Sequence, residues 1–222
     1  MTFRLSEANA KALHVLFKIF RYRFMTRKAT VERKTSETQI AVTVDLDGAG
    51  LASVDTGIPF MDHMLRLFAA HSFVDLDLKA RGDIEVDHHH TVEDIGICLG
   101  SAVSKALGDR KGISRYGEAH LPMDESLVRV VLDLSNRPVL SCNVPLSGRL
   151  SGSFDVGLLK EFLRAFVNHG GVTLHVDLIH GEEPHHIAEA IFKGLARALA
   201  SAFSYDGRLA GGVRSTKGTL QV

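Results

Sequence analysis

The sequence predicts an α+β fold made of two similar lobes, each with a small mixed or antiparallel sheet packed on two helices. Two observations predict it. The apolar residues alternate irregularly between the period of strands and that of helices, and one order of motifs occurs twice along the chain. With 222 residues, 45% of them hydrophobic, the chain can bury a sizeable core.

Charge and cysteine content restrict the compartment and the partners. Lysine plus arginine equals aspartate plus glutamate at 26 each, so neither nucleic acid nor a membrane surface is a predicted partner. No run of 18 apolar residues is long enough to span a membrane. Cys98 and Cys142 lie in apolar runs without a CxxC motif, which favours buried thiols and a reducing, cytoplasmic compartment.

The first 24 residues differ from the rest of the chain. Their segment ALHVLFKIFRYRF is basic and apolar, but no small-residue cleavage site of a secretory signal follows it, which leaves a short organellar transit sequence as an alternative. Met25 then opens a stretch that resembles a natural start. We therefore expect residues 1–24 to be an extension, tag-like or disordered. Residues 25–222 should form one domain of two repeats, at about 25–125 and 126–222.

The first half contains a predicted strand, helix, strand and helix. Residues 39–46 alternate apolar and polar side chains. Residues 56–71 have apolar residues at helical spacing, with Pro59 suited to a first turn. Residues 73–80 alternate again, and residues 91–107 place their apolar residues on one helical stripe.

The second half repeats this order after a strand pair. Residues 126–134 and 138–146 are predicted strands separated by a turn around Asn136. A helix, a strand and a helix follow, at residues 155–169, 172–179 and 187–203. Strands joined by hairpins favour α+β over a doubly wound parallel sheet.

An alignment of the halves supports duplication. Over a helix and a strand, matching residues lie 98 positions apart; they are Leu65, Arg66, Phe68, His71, Val74 and Leu76 against Leu163, Arg164, Phe166, His169, Val172 and Leu174. From His89 onward the offset becomes 96, as if one loop were two residues shorter. We therefore predict two lobes, each a strand, helix, strand and helix.

The duplicated pattern His-His-x-x-Glu indicates a metal site. It occurs in VDHHHTVED and in EEPHHIAEA. Three-residue spacing predicts that the second histidine and the glutamate share a helix face, while the first histidine points elsewhere, so each motif could serve two ions. Imidazole and carboxylate donors suit Mn, Fe, Zn or Ni. With the repeat-equivalent His63 and Glu161, the candidate ligands are His63, His89, His90, Glu93, Glu161, His185, His186 and Glu189.

The roles of three other histidines remain open. His88 has no repeat counterpart and is interpreted as exposed or as a neighbour of the ligands. His71 and His169 match each other, and each follows a predicted helix that it could simply cap.

The motifs PFMDHM, DHHHTVEDIGICLG, GVTLH, HHIAEAIFKGLARAL and STKG together resemble the imidazoleglycerol-phosphate dehydratase family, over about residues 25–222. The resemblance implies a duplicated fold like domain 2 of ribosomal protein S5. It also implies metal-dependent dehydration of imidazole glycerol phosphate to imidazole acetol phosphate in L-histidine biosynthesis. The expected cofactor is two Mn²⁺ per active site, and the expected assembly is a homo-oligomeric 24-mer with sites between subunits.

The resemblance also implies roles for residues. One ion would take His63, His90, His185 and Glu189, and the other His89, Glu93, His186 and Glu161, where many members carry histidine. The expected substrate-binding residues are Glu37, His63, His71, Arg115, Arg137, Lys193, Ser215, Thr216 and Lys217. The expected catalytic residues are Glu37, His71, Glu93 and Glu189. Glu37 is the candidate proton acceptor, with His71 or a metal-bound water as alternatives.

Two other functions use the same residues. A dinuclear metal hydrolase would explain the ligands, but not the symmetric lobes with a late STK loop. A metal-storage or structural protein would bind metal without needing Arg115 or Lys193.

Overall fold

A computed structural model of the chain describes residues 26–146, 154–209 and 211–220. The predicted extension at residues 1–24 lies outside them. The first lobe contains β1 (Lys28–Lys34), β2 (Thr38–Asp45), β3 (Ala52–Asp55), α1 (Pro59–Ser72), β4 (Asp75–Gly82) and α2 (His89–Leu107). The second contains β5 (Tyr116–Met123), β6 (Ser126–Asp133), β7 (Val139–Asn143), α3 (Leu158–Gly170), β8 (Thr173–His180) and α4 (Pro184–Phe203), followed by a short 3₁₀ helix, Gly207–Leu209.

Each lobe has one four-stranded mixed sheet, so the predicted fold class is confirmed. The strand orders are β1-β2-β4-β3 and β5-β6-β8-β7. Three strands of each sheet are antiparallel, and the third strand in chain order is parallel to the strand beside it. The two lobes therefore share both element order and sheet topology.

The sequence did not predict β1, β3 and β5; it predicted β7 as a strand but paired it with the wrong neighbour. The repeat unit is three strands, a helix, a strand and a helix, not the predicted strand, helix, strand and helix. The hairpins are β1–β2 and β5–β6, whereas β7 pairs in parallel with β8 instead of with β6. The unpredicted β1 is an edge strand with half-exposed side chains, and β3 has four residues, so their apolar alternation is weak.

The duplication extends into the unpredicted strands. β1 and β5 begin at Lys28 and Tyr116, and β2 and β6 begin at Thr38 and Ser126; both pairs lie 88 positions apart. Residues that the earlier alignment left without a counterpart can therefore be matched between lobes.

The helices pack between lobes: the first helix of each lobe contacts the second helix of the other lobe. α1 of the first lobe contacts α4 of the second, and α2 contacts α3. At Gly96 and Gly100 of α2, an added Cβ atom would lie 2.6 Å from the Phe162 carbonyl oxygen and 2.5 Å from that of Phe166, so only glycine lets α2 approach α3 this closely. This packing between lobes places His63 of α1 beside the start of α4. It also places α3, which carries Glu161, against α2.

Candidate active site

Three predicted ligands converge where α1 meets the start of α4. The Nε2 atom of His63 lies 2.8 Å from Oε1 of Glu189, and Nε2 of His185 lies 3.1 Å from the same oxygen. One ligand atom from each residue lies within 4.8 Å of the other two. His63 belongs to the first lobe and the other two to the second, so neither lobe forms this cluster alone.

The carboxylate of Glu189 is the buried centre of the cluster. The residue is 7% exposed, and its Oε2 accepts a hydrogen bond from Nζ of Lys193 at 2.6 Å. Burial alone would raise the pKa of Glu189, but hydrogen bonds from Lys193, His63 and His185 outweigh it and lower that pKa to about 2. The carboxylate is therefore anionic across the physiological range, as a metal ligand must be.

The prediction that the second histidine of each motif shares a helix face with the glutamate is wrong. The first histidine of each motif does so, at a spacing of four residues: His185 faces Glu189, and Nε2 of His89 lies 3.7 Å from Oε2 of Glu93. The second histidine turns away, contrary to the prediction from the three-residue spacing. A four-residue step is closer to a full helical turn, and the histidines lie in the first turn, where side chains also contact the preceding loop.

The second histidines each contact a carboxylate outside the helices. Nδ1 of His90 lies 3.0 Å from Oδ2 of Asp83, and Nδ1 of His186 lies 2.7 Å from Oε2 of Glu125. These contacts raise the pKa of both histidines. The fourth predicted member of the second set, Glu161, pairs with Arg164 on its own helix. Of the eight candidates, only the three clustered residues come within ligand distance of a shared point in the described part of one chain.

Glu37 and His71 lie near different predicted ligands. Glu37 is in the β1–β2 turn, with Oε2 3.9 Å from Nδ1 of His90. His71 lies two turns after His63 on α1 and is half-buried. Burial, followed by the positive charges of Lys193 and Arg197, lowers the pKa of His71, so its ring is neutral at physiological pH. His88 stacks on Phe154, with ring centroids 5.9 Å apart.

A second feature is a basic cleft of about 510 Å³. Its lining residues are Arg115, Tyr116, Arg137, Arg214, Ser215, Thr216 and Lys217. Five of the seven are predicted substrate-binding residues. Several cationic and hydroxyl groups facing one cavity can hold a phosphate dianion.

Arg115 anchors the wall of this cleft. Its guanidinium donates to Asp133 at 2.6 and 2.8 Å and to the carbonyl oxygen of Arg214 at 2.5 Å. Asp133 also lies 3.7 Å from Arg137. Arg115 therefore fixes the loop that carries Ser215, while the more exposed Arg137 keeps donors for a ligand.

The sequence interpretation missed three members of this region and grouped with them one residue that lies in the cluster. Tyr116 and Arg214 line the cleft and Asp133 holds its arginines, but none was a candidate. Arg214 stands in the basic motif RSTKG, which could have indicated it. Lys193, one of the expected substrate-binding residues, lies beside the cluster, where its Nζ donates to Glu189.

Comparison with known proteins identifies the family. The family model described as Imidazoleglycerol-phosphate dehydratase matches residues 56–199. The imidazoleglycerol-phosphate dehydratase of Cereibacter sphaeroides is 55% identical over 194 residues, which are 87% of this chain and 100% of that protein. The chain belongs to the imidazoleglycerol-phosphate dehydratase family. That of Ralstonia nicotianae is 56% identical over 196 residues, 88% of this chain and 100% of the relative.

Solved dehydratase structures share the fold. The Staphylococcus aureus enzyme superposes with a TM-score of 0.73 at 41% identity, covering 81% of this chain and 99% of that one. The Pyrococcus furiosus enzyme gives a TM-score of 0.73 at 36% identity, covering 85% and 99%. The chain is thus a dehydratase, a carbon–oxygen hydro-lyase, and the family name implies a role in histidine biosynthesis. Among the described residues, no helix is both long and apolar enough to cross a membrane.

Proposed function

We propose that this dehydratase depends on two Mn²⁺ ions per active site to convert imidazole glycerol phosphate to imidazole acetol phosphate. The observation that supports it best is the convergence of His63, His185 and Glu189 from two lobes. Two imidazole nitrogens and a carboxylate, with no thiolate, are donors that suit Mn²⁺. When bound, the two ions would act as Lewis acids on the imidazole ring of the substrate.

The second ion would use the repeat-related residues of the α2–α3 pair. His89 and Glu93 correspond to His185 and Glu189, and Glu161 corresponds to His63. Glu161 now pairs with Arg164, from which it would have to turn to act as a ligand. A glutamate at this position supplies an anionic oxygen instead of an imidazole nitrogen, so this site should favour harder cations.

Neighbouring subunits would supply the fourth donor of each set. His90 and His186 face Asp83 and Glu125 in their own chain and do not reach the clustered ligands. We propose that His90 completes the His63 set of a neighbouring subunit, and that His186 completes the His89 set of another. Closed homo-oligomers build such shared sites by symmetry, consistent with the proposed 24-mer. We propose a cytoplasmic location for this assembly.

The chain's own residues would position the substrate and move the proton. Arg137, Ser215, Thr216 and Lys217 would hold the phosphate and thereby orient the carbon chain. As hydroxide leaves one carbon, Glu37 would accept the proton from the next carbon, and the resulting enol becomes the ketone. Neutral His71 is the alternative acceptor.

The test is dehydration of imidazole glycerol phosphate by metal-stripped and Mn²⁺-restored protein. We expect activity only after restoration, and its loss in Glu189→Ala. Glu118→Gln, which changes an exposed carboxylate on β5, should retain wild-type activity. Full activity after exhaustive metal removal would contradict the proposal. Release of inorganic phosphate, with no ketone formed, would favour a dinuclear hydrolase.

A further inference from the structure

Glu125, in the β5–β6 turn, connects several groups at the start of α4. Its Oε2 lies 2.7 Å from Nδ1 of His186. Its Oε1 accepts hydrogen bonds from the backbone N–H of Glu183 at 3.0 Å and from the hydroxyl of Ser126 at 2.9 Å. Its carbonyl oxygen lies 2.8 Å from Nδ1 of His180. One residue therefore fixes both the end of β8 and the loop that leads into the His-His motif.

The internal repeat gives Glu125 a counterpart. It directly precedes β6, as Glu37 directly precedes β2, and the two lie 88 positions apart. Their neighbouring histidines, His186 and His90, are also repeat equivalents. Each lobe thus places a glutamate from its first hairpin beside the second histidine of its motif, at 2.7 Å in one lobe and 3.9 Å in the other.

The shorter contact has a structural reason. In the first lobe, Asp83 takes the hydrogen bond from His90 and leaves Glu37 unbonded to the ring. Counting from the ends of β4 and β8, Gly181 stands where Asp83 would be. A Cβ atom at Gly181 would lie 2.5 Å from Oγ of Ser126, so no side chain fits there. Glu125 then takes the place that Asp83 occupies in the first lobe.

The contact determines which ring nitrogen carries the proton. A carboxylate on Nδ1 requires an N–H there, which leaves Nε2 with its lone pair free for a cation. Nε2 of His186 lies 3.6 Å from Oδ2 of the exposed Asp124, beyond hydrogen-bond distance. Within the described residues, Nε2 therefore makes no hydrogen bond.

We propose that Glu125 is a positioning residue that holds His186 in the tautomer with a free Nε2, ready to bind the second Mn²⁺ of a neighbouring subunit. The inference rests on the proposed function, because it assumes that His186 is a ligand. It adds a residue that touches neither the metal nor the substrate, yet controls one of the two sites.

Glu125→Gln tests the tautomer without removing the local hydrogen bonds. The amide oxygen can still accept from Glu183 and Ser126, while the amide N–H groups face Nδ1 of His186. Two donors would then meet, so the ring must move its proton to Nε2, the atom that the cation needs. We expect the second Mn²⁺ to bind about 10- to 100-fold more weakly, with the first unchanged.

The measurement is Mn²⁺ binding to the assembled protein, by equilibrium dialysis and by the electron paramagnetic resonance signal of the bound ion. The matched control is Glu182→Gln, an exposed carboxylate of the same loop, which should bind both ions like the wild type. Glu125→Asp retains a carboxylate and should restore part of the second site.

Three results are decisive. A wild-type count below two ions per chain would overturn the proposed function itself, before any variant is compared. Wild-type binding of both ions by Glu125→Gln would overturn the role of Glu125. Equal weakening of both ions, together with a lower unfolding temperature of the metal-free protein, would show a structural role and overturn it as well.

Discussion

Gly117 provides a sharp test of how α4 is seated. It is the buried second residue of β5, and a Cβ atom there would overlap the carbonyl oxygen of Ala198 and lie 2.8 Å from its carbonyl carbon and 3.1 Å from the backbone nitrogen of Ala202. These are backbone atoms of α4, which cannot rotate away as a side chain would. Gly117→Ala must therefore push the whole helix off the sheet.

The cost follows from two opposing effects. Overpacking costs about 1–3 kcal/mol, and we take the upper end because the overlap is with backbone. Replacing glycine in a strand stabilises the fold by about 0.5–1 kcal/mol. The free energy of unfolding should therefore fall by about 2 kcal/mol in total. For a domain of this size the unfolding temperature should fall by about 4–8 °C.

The assay is thermal unfolding of metal-free protein, followed by circular dichroism. Glu118→Ala is the control, because it introduces the same residue at the adjacent exposed position and should stay within about 0.5 kcal/mol of the wild type. An unchanged unfolding temperature in Gly117→Ala would refute the close packing of α4 on β5. Because α4 carries His185 and Glu189, the variant should also bind Mn²⁺ more weakly.

Three further predictions follow from the electrostatics and burial. Arg137→Ala and Arg214→Ala should each raise KM for the phosphorylated substrate by about tenfold or more, equivalent to losing one charge-assisted hydrogen bond, with a smaller change in kcat; an unchanged KM would exclude the cleft as the phosphate site. Glu189 has a folded-state pKa of about 2, below its ordinary value of 4.5, so its stabilisation is present above pH 4.5 and lost as pH falls toward 2. Metal-free wild type should therefore lose up to about 3 kcal/mol more of its free energy of unfolding than Glu189→Gln over that interval in denaturant titrations; equal losses would contradict the hydrogen bonds that lower the pKa of this carboxylate. Burial raises the pKa of Cys98 to about 11, so native protein should resist alkylation of Cys98 at pH 8, as measured by mass spectrometry, and rapid labelling of Cys98 would show an open core.

The elements that could be predicted are those with a strong local signal. The four helices and the strands β2, β4, β6 and β8 have apolar residues at a clear period, because one face of each is buried in the shared core. The edge strands β1 and β5 lack that period, since their side chains are mostly exposed or half-buried. The parallel pairing of β7 with β8 depends on contacts made after α3, which local patterns do not record.

The candidate site was also predicted only in part from the sequence. The ligand set could be proposed because the duplication places histidines and glutamates at matching positions. The sequence could not show which histidine of each motif shares a helix face with the glutamate. The spacing alone did not reveal that Glu125 and Asp83 bind His186 and His90 away from that face. The contact between His63 and Glu189 could not be predicted either, because it depends on how the helices of the two lobes pack. Part of that close packing is possible only because Gly96 and Gly100 lack side chains.

The most direct test of the two-lobe metal cluster is a crystal structure of the Mn²⁺-loaded protein, with anomalous diffraction recorded at the manganese edge. We predict an anomalous peak in contact with Nε2 of His63, Nε2 of His185 and the carboxylate of Glu189, with a second peak beside His89 and Glu93. A loaded crystal without a peak at the first position would contradict the account.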